Sequence, residues 1–172
     1  MRHGQSNYNV LQLCNDDPEQ DVYLTELGKQ QAREVANKVQ NEKIDVIVVS
    51  ELPRTRQTAE IINQDHQVPI IMQPVLNDIH TGMDSLPVAE YFARTQQDPL
   101  HISINNGESL LDHKKRVLKY FDWLNTQNYS CILTIAHEET MRVFYARFNH
   151  IPDEKLRDLH FDNCEVLSYE FS

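Results

Sequence analysis

Two short apolar runs constrain the fold of this chain more than any other feature of its sequence. Residues 44–49 read "IDVIVV" and residues 131–136 read "CILTIA", and both are apolar almost throughout instead of alternating with polar residues. Strands of this composition are covered on both faces, as in parallel sheets that lie between layers of helices. We therefore predict that both runs are buried strands near the centre of a sheet.

Segments with helical periodicity flank these runs. Residues 27–40 and 110–124 place apolar side chains on one helix face, and Ser109 is the predicted N-cap of the second helix, with Asp112 three residues later. Further helices are predicted at residues 53–64, 86–97 and 139–148, and further strands at residues 68–72 and 165–171. Strands that alternate with helices predict the α/β class, as a three-layer α/β/α sandwich around a mostly parallel central sheet.

The composition narrows the range of functions. With 172 residues and no Gly/Ser-rich or Pro-rich linker, the chain is predicted to form one domain, residues 1–172. A formal net charge of −10 argues against nucleic acid or an anionic membrane as a partner. A small anionic ligand is still compatible with this net charge, because a local arginine cluster attracts it within a Debye length of roughly 10 Å.

The three cysteines have no C-x-x-C spacing, which argues against a disulfide framework and against a zinc site. Neither an apolar segment of membrane length nor a charged apolar leader is found, so we expect a cytoplasmic protein. The sequence leaves the oligomeric state open.

Polar side chains follow both central runs. Arg54 comes shortly after the first run and His137 directly after the second, while Arg2 and His3 stand at the start of the chain. Ligands of open α/β sheets bind beyond the carboxyl ends of the strands, so we expect Arg54 and His137 at one rim, joined by His3 if it too follows a strand. Arginine forks bind phosphoryl oxygens, and histidine can attack phosphorus. On the residues alone, a phosphoryl-transfer site and a set of unrelated surface or core side chains both remain open.

The opening stretch "RHGQSNYN" is similar to the R-H-G-[EQ]-[ST]-x-x-N signature of the histidine phosphatase superfamily, in its phosphoglycerate-mutase-like branch. The resemblance continues in the order of the family over nearly the whole chain. Its further blocks are "LTELGKQQA", "SELPRTRQTAEII", "NGESLLDHKKRV", "TIAHEETMRVF" and "NCEVLSYE". It implies the phosphoglycerate-mutase-like fold for this chain.

The resemblance also implies roles for individual residues. His3 matches the nucleophile that becomes phosphohistidine, and Gly4 matches the position where the backbone turns closely past the phosphate. The residues implied to bind the phosphoryl group are Arg2, Gly4, Asn9, Arg54 and His137. The implied partner is a small phosphorylated substrate. No metal ion or cofactor is implied, since the arginines and His137 would neutralise the phosphoryl charge.

The proton donor is the first departure from the family pattern. The pattern L-x-E-x-x-x-G falls on "LNDIHTG" at residues 76–82, which puts Asp78 where Glu is usual. We predict Asp78 as the donor to the leaving oxygen, with Glu51 and Asp84 as the other carboxylates to test. A loop aspartate that only bonds local backbone is the alternative. His80 lies two residues away on the predicted substrate loop.

The segment "HEET" at residues 137–140 is the second departure, because many relatives have H-G-G there. Two carboxylates beside a phosphate pocket would weaken anion binding if they turned inward. We therefore predict that Glu138 and Glu139 point outward and complement the helix dipole. The chain also has only Met1 before the R-H-G, where relatives have about five apolar residues. We expect that the printed chain starts late and that a first, central strand is truncated.

Three functions remain open at this stage. The favoured one is hydrolysis of a small phosphomonoester, and the second is a phosphoglycerate-mutase-type phosphoryl transfer. Mutases of the superfamily carry longer insertions between the positions of Arg54 and His137, whereas the helix predicted here at residues 86–97 is short for a closing lid. The third is a catalytically silent binding domain on the same fold, against which the intact Arg2, His3, Arg54 and His137 count.

Overall fold

Three parallel strands form the centre of the structure, a computed structural model that describes residues 1–170. They are β1 (Val46–Val49), β2 (Ile70–Met72) and β3 (Ile132–Ile135), in the order β2-β1-β3. Ile47 of β1 is in register with Ile70 and with Leu133. Both apolar runs are therefore strands, as predicted, and the strand predicted at residues 68–72 is β2.

Six α-helices surround this sheet. They are α1 (Asn7–Leu11), α2 (Glu26–Val39), α3 (Pro53–His66), α4 (Val88–Thr95), α5 (Leu110–Leu124) and α6 (Glu138–Asn149), with short 3₁₀ helices at Pro74–Leu76 and Asp153–Asp158. The five predicted helices are found within a few residues of their predicted bounds. Ser109 caps α5, and its hydroxyl and the Asp112 carboxylate form the predicted reciprocal pair. The helix α1 was not predicted, since its five residues show no apolar face.

Alternate residues of β1 enter two different cores, and this accounts for the three layers. Ile47 and Val49 pack with side chains of α2 and α3 on one face of the sheet. Val46 and Val48 pack on the other face with side chains that include Tyr120 of α5. All four β1 residues are buried because helices cover both faces. The predicted α/β/α sandwich with a parallel central sheet is confirmed.

The first three residues extend the sheet beyond β3. The Ala136 amide donates to the Met1 carbonyl at 2.9 Å, and the His3 amide donates to the Ala136 carbonyl at 3.0 Å. Arg2 and Ala136 form a parallel bridge. His3 is thereby held at the same edge of the sheet at which β3 ends.

The strand predicted at residues 165–171 is wrong over the described part, because residues 165–170 are not in a strand; residue 171 lies outside the described residues. Arg2 donates to the Glu165 carbonyl and Cys164 donates to the His3 carbonyl, both at 3.2 Å. These two backbone bonds join the segment to residues 1–3 in place of a regular ladder. Within residues 1–170, no helix is long and apolar enough to cross a membrane.

Candidate active site

A cavity of about 290 Å³ opens at the carboxyl edge of the sheet. Its lining includes five of the residues predicted from the sequence: Arg2, His3, Asn9, Arg54 and Asp78. Clefts beyond the strand ends are where α/β folds bind ligands. Among residues 1–170, no three His, Cys, Asp or Glu side chains are grouped as metal ligands would be.

His3 is buried at one end of this cavity, with both ring nitrogens held. Its Nδ1 lies 2.7 Å from the Gly4 carbonyl oxygen, and its Nε2 lies 3.1 Å from Arg54 Nε. A carbonyl can only accept, so Nδ1 carries the proton and Nε2 presents its lone pair. Burial, followed by the charges of Arg54 and Arg2, holds the pKa of His3 well below its usual value. The ring is therefore a neutral base with its lone pair on Nε2.

Arg54 reaches His3 because it is the second residue of α3, which begins four residues after β1. Asn15 holds the guanidinium with two bonds, from Nη1 to its side-chain Oδ1 at 2.6 Å and from Nη2 to its carbonyl at 3.0 Å. Asp78 Oδ2 accepts from Nη2 at 3.0 Å. Sequence reasoning missed Asn15, whose loop shows no motif for such a contact.

His137 follows β3 and is fully buried, and its ring lies 5.2 Å from the His3 ring. Its Nε2 lies 2.9 Å from Ser50 Oγ, which also accepts from the Leu52 amide at 3.2 Å. The Ser50 hydroxyl has two acceptors within reach, because its Oγ also lies 2.9 Å from Thr55 Oγ1, whose own proton goes to backbone carbonyl oxygen. If Ser50 donates to Nε2, the imidazole proton is on Nδ1; if it donates to Thr55, the imidazole proton is on Nε2. Burial, followed by Arg54, lowers the pKa of His137 well below its usual value, so this ring too is neutral.

Two buried nitrogens at this end have no protein partner among the described residues. They are His137 Nδ1 and Arg2 Nε, and Nδ1 lies 3.5 Å from Asp78 Oδ2. Buried N–H groups are almost always hydrogen-bonded, and an unpaired one costs about 1–3 kcal/mol. An anion beside the His3 lone pair would accept from Arg2 Nε, and also from His137 Nδ1 in the tautomer that carries its proton there.

The predicted outward orientation of Glu138 and Glu139 is wrong. Both side chains line the cavity. Glu138 Oε2 lies 2.8 Å from Arg2 Nη1, and Arg142 pairs with Glu138 at 3.0 Å and with Glu139 at 2.6 Å. A charge at a helix N-terminus gains only about 0.3–1 kcal/mol from the dipole at an exposed site, and partly buried arginine partners outweigh this. The weakening of anion binding expected from inward-facing carboxylates is offset, because both carboxylates already pair with Arg2 or Arg142.

Asp78 lines the cavity, whereas Glu51 and Asp84, the other two candidate proton donors, do not. Besides the contacts of its Oδ2, its Oδ1 accepts from the Ile79 amide at 3.0 Å, so the local backbone bond expected of a loop aspartate is also present. Glu51 instead accepts from the Asn77 side chain at 2.8 Å, and Asp84 accepts from the Asp16 amide at 2.9 Å. Of the three carboxylates, Asp78 is the one that lies within 3.5 Å of Arg54 and His137.

Arg116 of α5 anchors the loop that carries Asp78, and sequence reasoning missed it. Its guanidinium donates to the carbonyls of Val75 and Asn77 at 2.9 Å and of Asp78 at 3.0 Å. It also pairs with Glu108 at 2.6 Å. Burial raises the pKa of Glu108, but the bonds from Arg116 and His113 outweigh this and hold it well below its usual range. Glu108 is therefore ionised and fixes the Arg116 fork.

Gly4 and His80 are outside the cavity lining. A Cβ on Gly4 would meet the Gly28 carbonyl oxygen at 2.4 Å, and the Gly4 amide donates to Thr58. The close approach at Gly4 is thus to α2, and Gly4 does not line the cavity. The His80 ring contacts the Asp16 carboxylate instead of the cavity.

Asn9 lines the cavity at the start of the chain. Its Oδ1 accepts from the Ser6 amide at 2.9 Å, in a capping box that begins α1. The Asn163 side chain donates to the same oxygen at 3.3 Å. With its Oδ1 occupied by two donors, Asn9 can offer only its amide N–H groups to an anion.

Comparisons with known proteins agree on one family. A model of the histidine phosphatase superfamily (branch 1) matches residues 1–172. A probable phosphoglycerate mutase GpmB of Photorhabdus laumondii is 42% identical over 83 residues, which are 48% of this chain and 38% of that protein. The adenosylcobalamin/alpha-ribazole phosphatase of Escherichia coli is 26% identical over 171 residues, 94% of this chain and 83% of that protein. The crystal structure of the alpha-ribazole phosphatase from Shigella flexneri has a TM-score of 0.85 and 25% identity, and covers 95% of this chain and 85% of that one.

Proposed function

Because the chain belongs to branch 1 of the histidine phosphatase superfamily, we propose that it hydrolyses a small phosphomonoester through a phosphohistidine on His3. The observation that carries this proposal is the state of the His3 ring, which is neutral, buried and fixed with its lone pair on Nε2. A nucleophile needs that lone pair, and an anionic phosphoryl group needs donors around it. Arg2 Nε–H supplies one such donor, and His137 supplies a second when its proton is on Nδ1.

The reaction takes two steps. His3 Nε2 attacks phosphorus, the bond from phosphorus to the ester oxygen breaks, and that oxygen takes a proton from the Asp78 carboxyl group. Water then attacks phosphohistidine, Asp78 accepts the water proton, and the electrons of the phosphorus–nitrogen bond return to Nε2 as phosphate leaves. Arg54 Nε, which lies 3.1 Å from Nε2, turns to a phosphoryl oxygen once Nε2 is bonded to phosphorus.

Release of phosphate from an aryl phosphate in the presence of EDTA tests the proposal. We expect turnover by the wild type and none by His3→Ala, with Arg33→Ala on the exposed face of α2 as the matched control. Turnover by His3→Ala would overturn the nucleophile assignment. A folded wild type that turns over no ester would instead favour a silent binding domain.

A phosphoglycerate mutase is the second candidate, which the similarity to the probable phosphoglycerate mutase GpmB of Photorhabdus laumondii favours. Both activities use the same phosphohistidine, and they differ in whether water or substrate takes the phosphoryl group. Interconversion of 2- and 3-phosphoglycerate that is much faster than hydrolysis of either would establish the mutase. We expect hydrolysis to be the faster reaction.

A further inference from the structure

The cavity has a second end, which the two-step reaction does not use. Side chains of α4 and the neighbouring loops form its apolar wall: Leu13, Cys14, Ile79, Val88, Tyr91 and Phe92. The opposite wall is the start of α6, with Glu138, Glu139 and Arg142. If the phosphoryl group binds at His3, the remainder of the ester must lie between these two walls.

The cations of the α6 wall are already paired. Arg142 is 4% exposed and contacts both Glu138 and Glu139, and its Nε donates to the Leu159 carbonyl at 2.8 Å. His160 is exposed and lies 3.4 Å from Glu138. Burial opposes the charge on Arg142, but Glu139 and Glu138 outweigh burial and raise its pKa. Arg142, the arginine of this wall, therefore already has two carboxylates and a carbonyl as partners and is not left to receive a second anionic group of a substrate.

Glu139, in contrast to these paired cations, has a carboxylate oxygen that accepts no hydrogen bond from a described residue. Its Oε1 holds Arg142 at 2.6 Å, while its Oε2 is buried and has no partner among the described residues. Burying a carboxylate oxygen without a hydrogen-bond donor costs free energy, for the same reason as burying the unpaired nitrogens at the phosphoryl end. The natural partner is a hydroxyl or ammonium group on a ligand, and a ligand carboxylate there would face a like charge.

We propose that Glu139 selects the leaving group: the site takes phosphomonoesters whose alcohol part is compact, uncharged or cationic, and bears a hydroxyl or ammonium donor, and it rejects esters with a second anion. This specificity rests on the proposed phosphatase function. It combines three features of one cavity, namely the apolar wall of Val88 and Phe92, the free Glu139 oxygen and the neutralised Arg142.

Two esters of nearly equal shape test this selection. Racemic glycerol 3-phosphate and racemic 3-phosphoglycerate differ only in a hydroxymethyl group where the second has a carboxylate. We expect the wild type to show a kcat/KM at least about tenfold higher for glycerol 3-phosphate, since like charges across an interface are strongly disfavoured. Equal values, or a preference for 3-phosphoglycerate, would overturn the proposal.

The variant Glu139→Gln tests whether Glu139 is the residue that makes this selection. It keeps a side-chain oxygen for Arg142 but removes the charge, so we expect the ratio of the two kcat/KM values to fall several-fold, with 3-phosphoglycerate gaining. Glu90→Gln is the matched control, because Glu90 forms a comparable pair with Arg94 on α4 outside the cavity lining. A ratio that stays constant in Glu139→Gln, with an unchanged melting temperature, would refute the role of Glu139.

Failure of the proposed phosphatase function can be distinguished from failure of the selection by Glu139. If the wild type hydrolyses neither ester nor an aryl phosphate, calorimetric titration of the wild type with the same two esters measures the selection directly. Tighter binding of glycerol 3-phosphate would support it. Tighter binding of 3-phosphoglycerate, or binding of neither, would overturn it.

Discussion

Ser50 determines which ring nitrogen of His137 carries the proton. We infer that its hydroxyl donates to Nε2, which puts the imidazole proton on Nδ1. Removing this hydroxyl in Ser50→Ala leaves His137 Nε2 buried without a partner and allows the proton to move away from Nδ1. We expect kcat to fall about tenfold, the rate equivalent of one buried hydrogen bond of ~1.4 kcal/mol, and inhibition by inorganic phosphate to weaken. Steady-state kinetics with phosphate as the inhibitor measures both effects.

The matched control for this residue is Ser103→Ala, because Ser103 is an exposed serine outside the cavity lining. A purely structural role of Ser50 would lower the melting temperature of the variant and leave its inhibition constant for phosphate unchanged. Unchanged inhibition with reduced kcat would therefore contradict the assignment of the Nδ1 proton.

At the scale of elements, the position of Asp78 depends on α5. Arg116 of this helix bonds three carbonyls of the loop that carries Asp78. Lysine is a point donor without the planar fork, so Arg116→Lys should loosen the loop. If Asp78 protonates the leaving oxygen, we expect kcat for an alkyl phosphate to fall about tenfold or more, and kcat for an aryl phosphate, whose leaving group needs little protonation, to change far less.

The leaving-group comparison separates this positioning role from general destabilisation. Lys115→Ala alters the exposed neighbour on α5 and should leave both rates unchanged. Asp78→Asn should show the same selective loss as Arg116→Lys. Equal losses for alkyl and aryl esters in both variants would remove Asp78 from the role of donor and Arg116 from that of its anchor.

At the scale of the whole molecule, two buried neutral histidines make folding sensitive to acid. The pKa values of His3 and His137 are lowered well below 6.5, first by burial. Between these lowered values and 6.5 the unfolded chain binds more protons, so the free energy of unfolding falls as the pH drops below 6.5. Each histidine contributes a slope of at most about 1.4 kcal/mol per pH unit.

Urea unfolding at several pH values between 7.5 and 5 measures this slope, and His137→Gln should reduce it. The control Arg33→Ala changes an exposed side chain of α2 that does not titrate in this range and should keep the slope of the wild type. Asp16, whose pKa burial raises to about 6, acts in the opposite direction below that pH in all three proteins, so it cancels from the comparison. Identical slopes for the wild type and His137→Gln would show that His137 is not buried in its neutral form.

The sequence predicted most of the architecture and the centre of the site, because both follow from local patterns. Apolar runs give buried strands, and the strand-end rule brings Arg54 and His137 to one edge. The misplaced features depend on contacts between distant residues. Glu138 turns inward because Arg2 lies there, and Asn15 and Arg116 act through carbonyl groups, which no residue pattern marks.

The central claim is that His3 carries the phosphoryl group during turnover. Rapid mixing with an aryl phosphate, quenching in alkali, which preserves phosphohistidine, and peptide mass spectrometry locate that group. We expect one phosphoryl group on the peptide that contains His3, formed within the first turnover, and none in His3→Ala. A phosphoryl group on any other residue, or full turnover by His3→Ala without an adduct, would contradict the account.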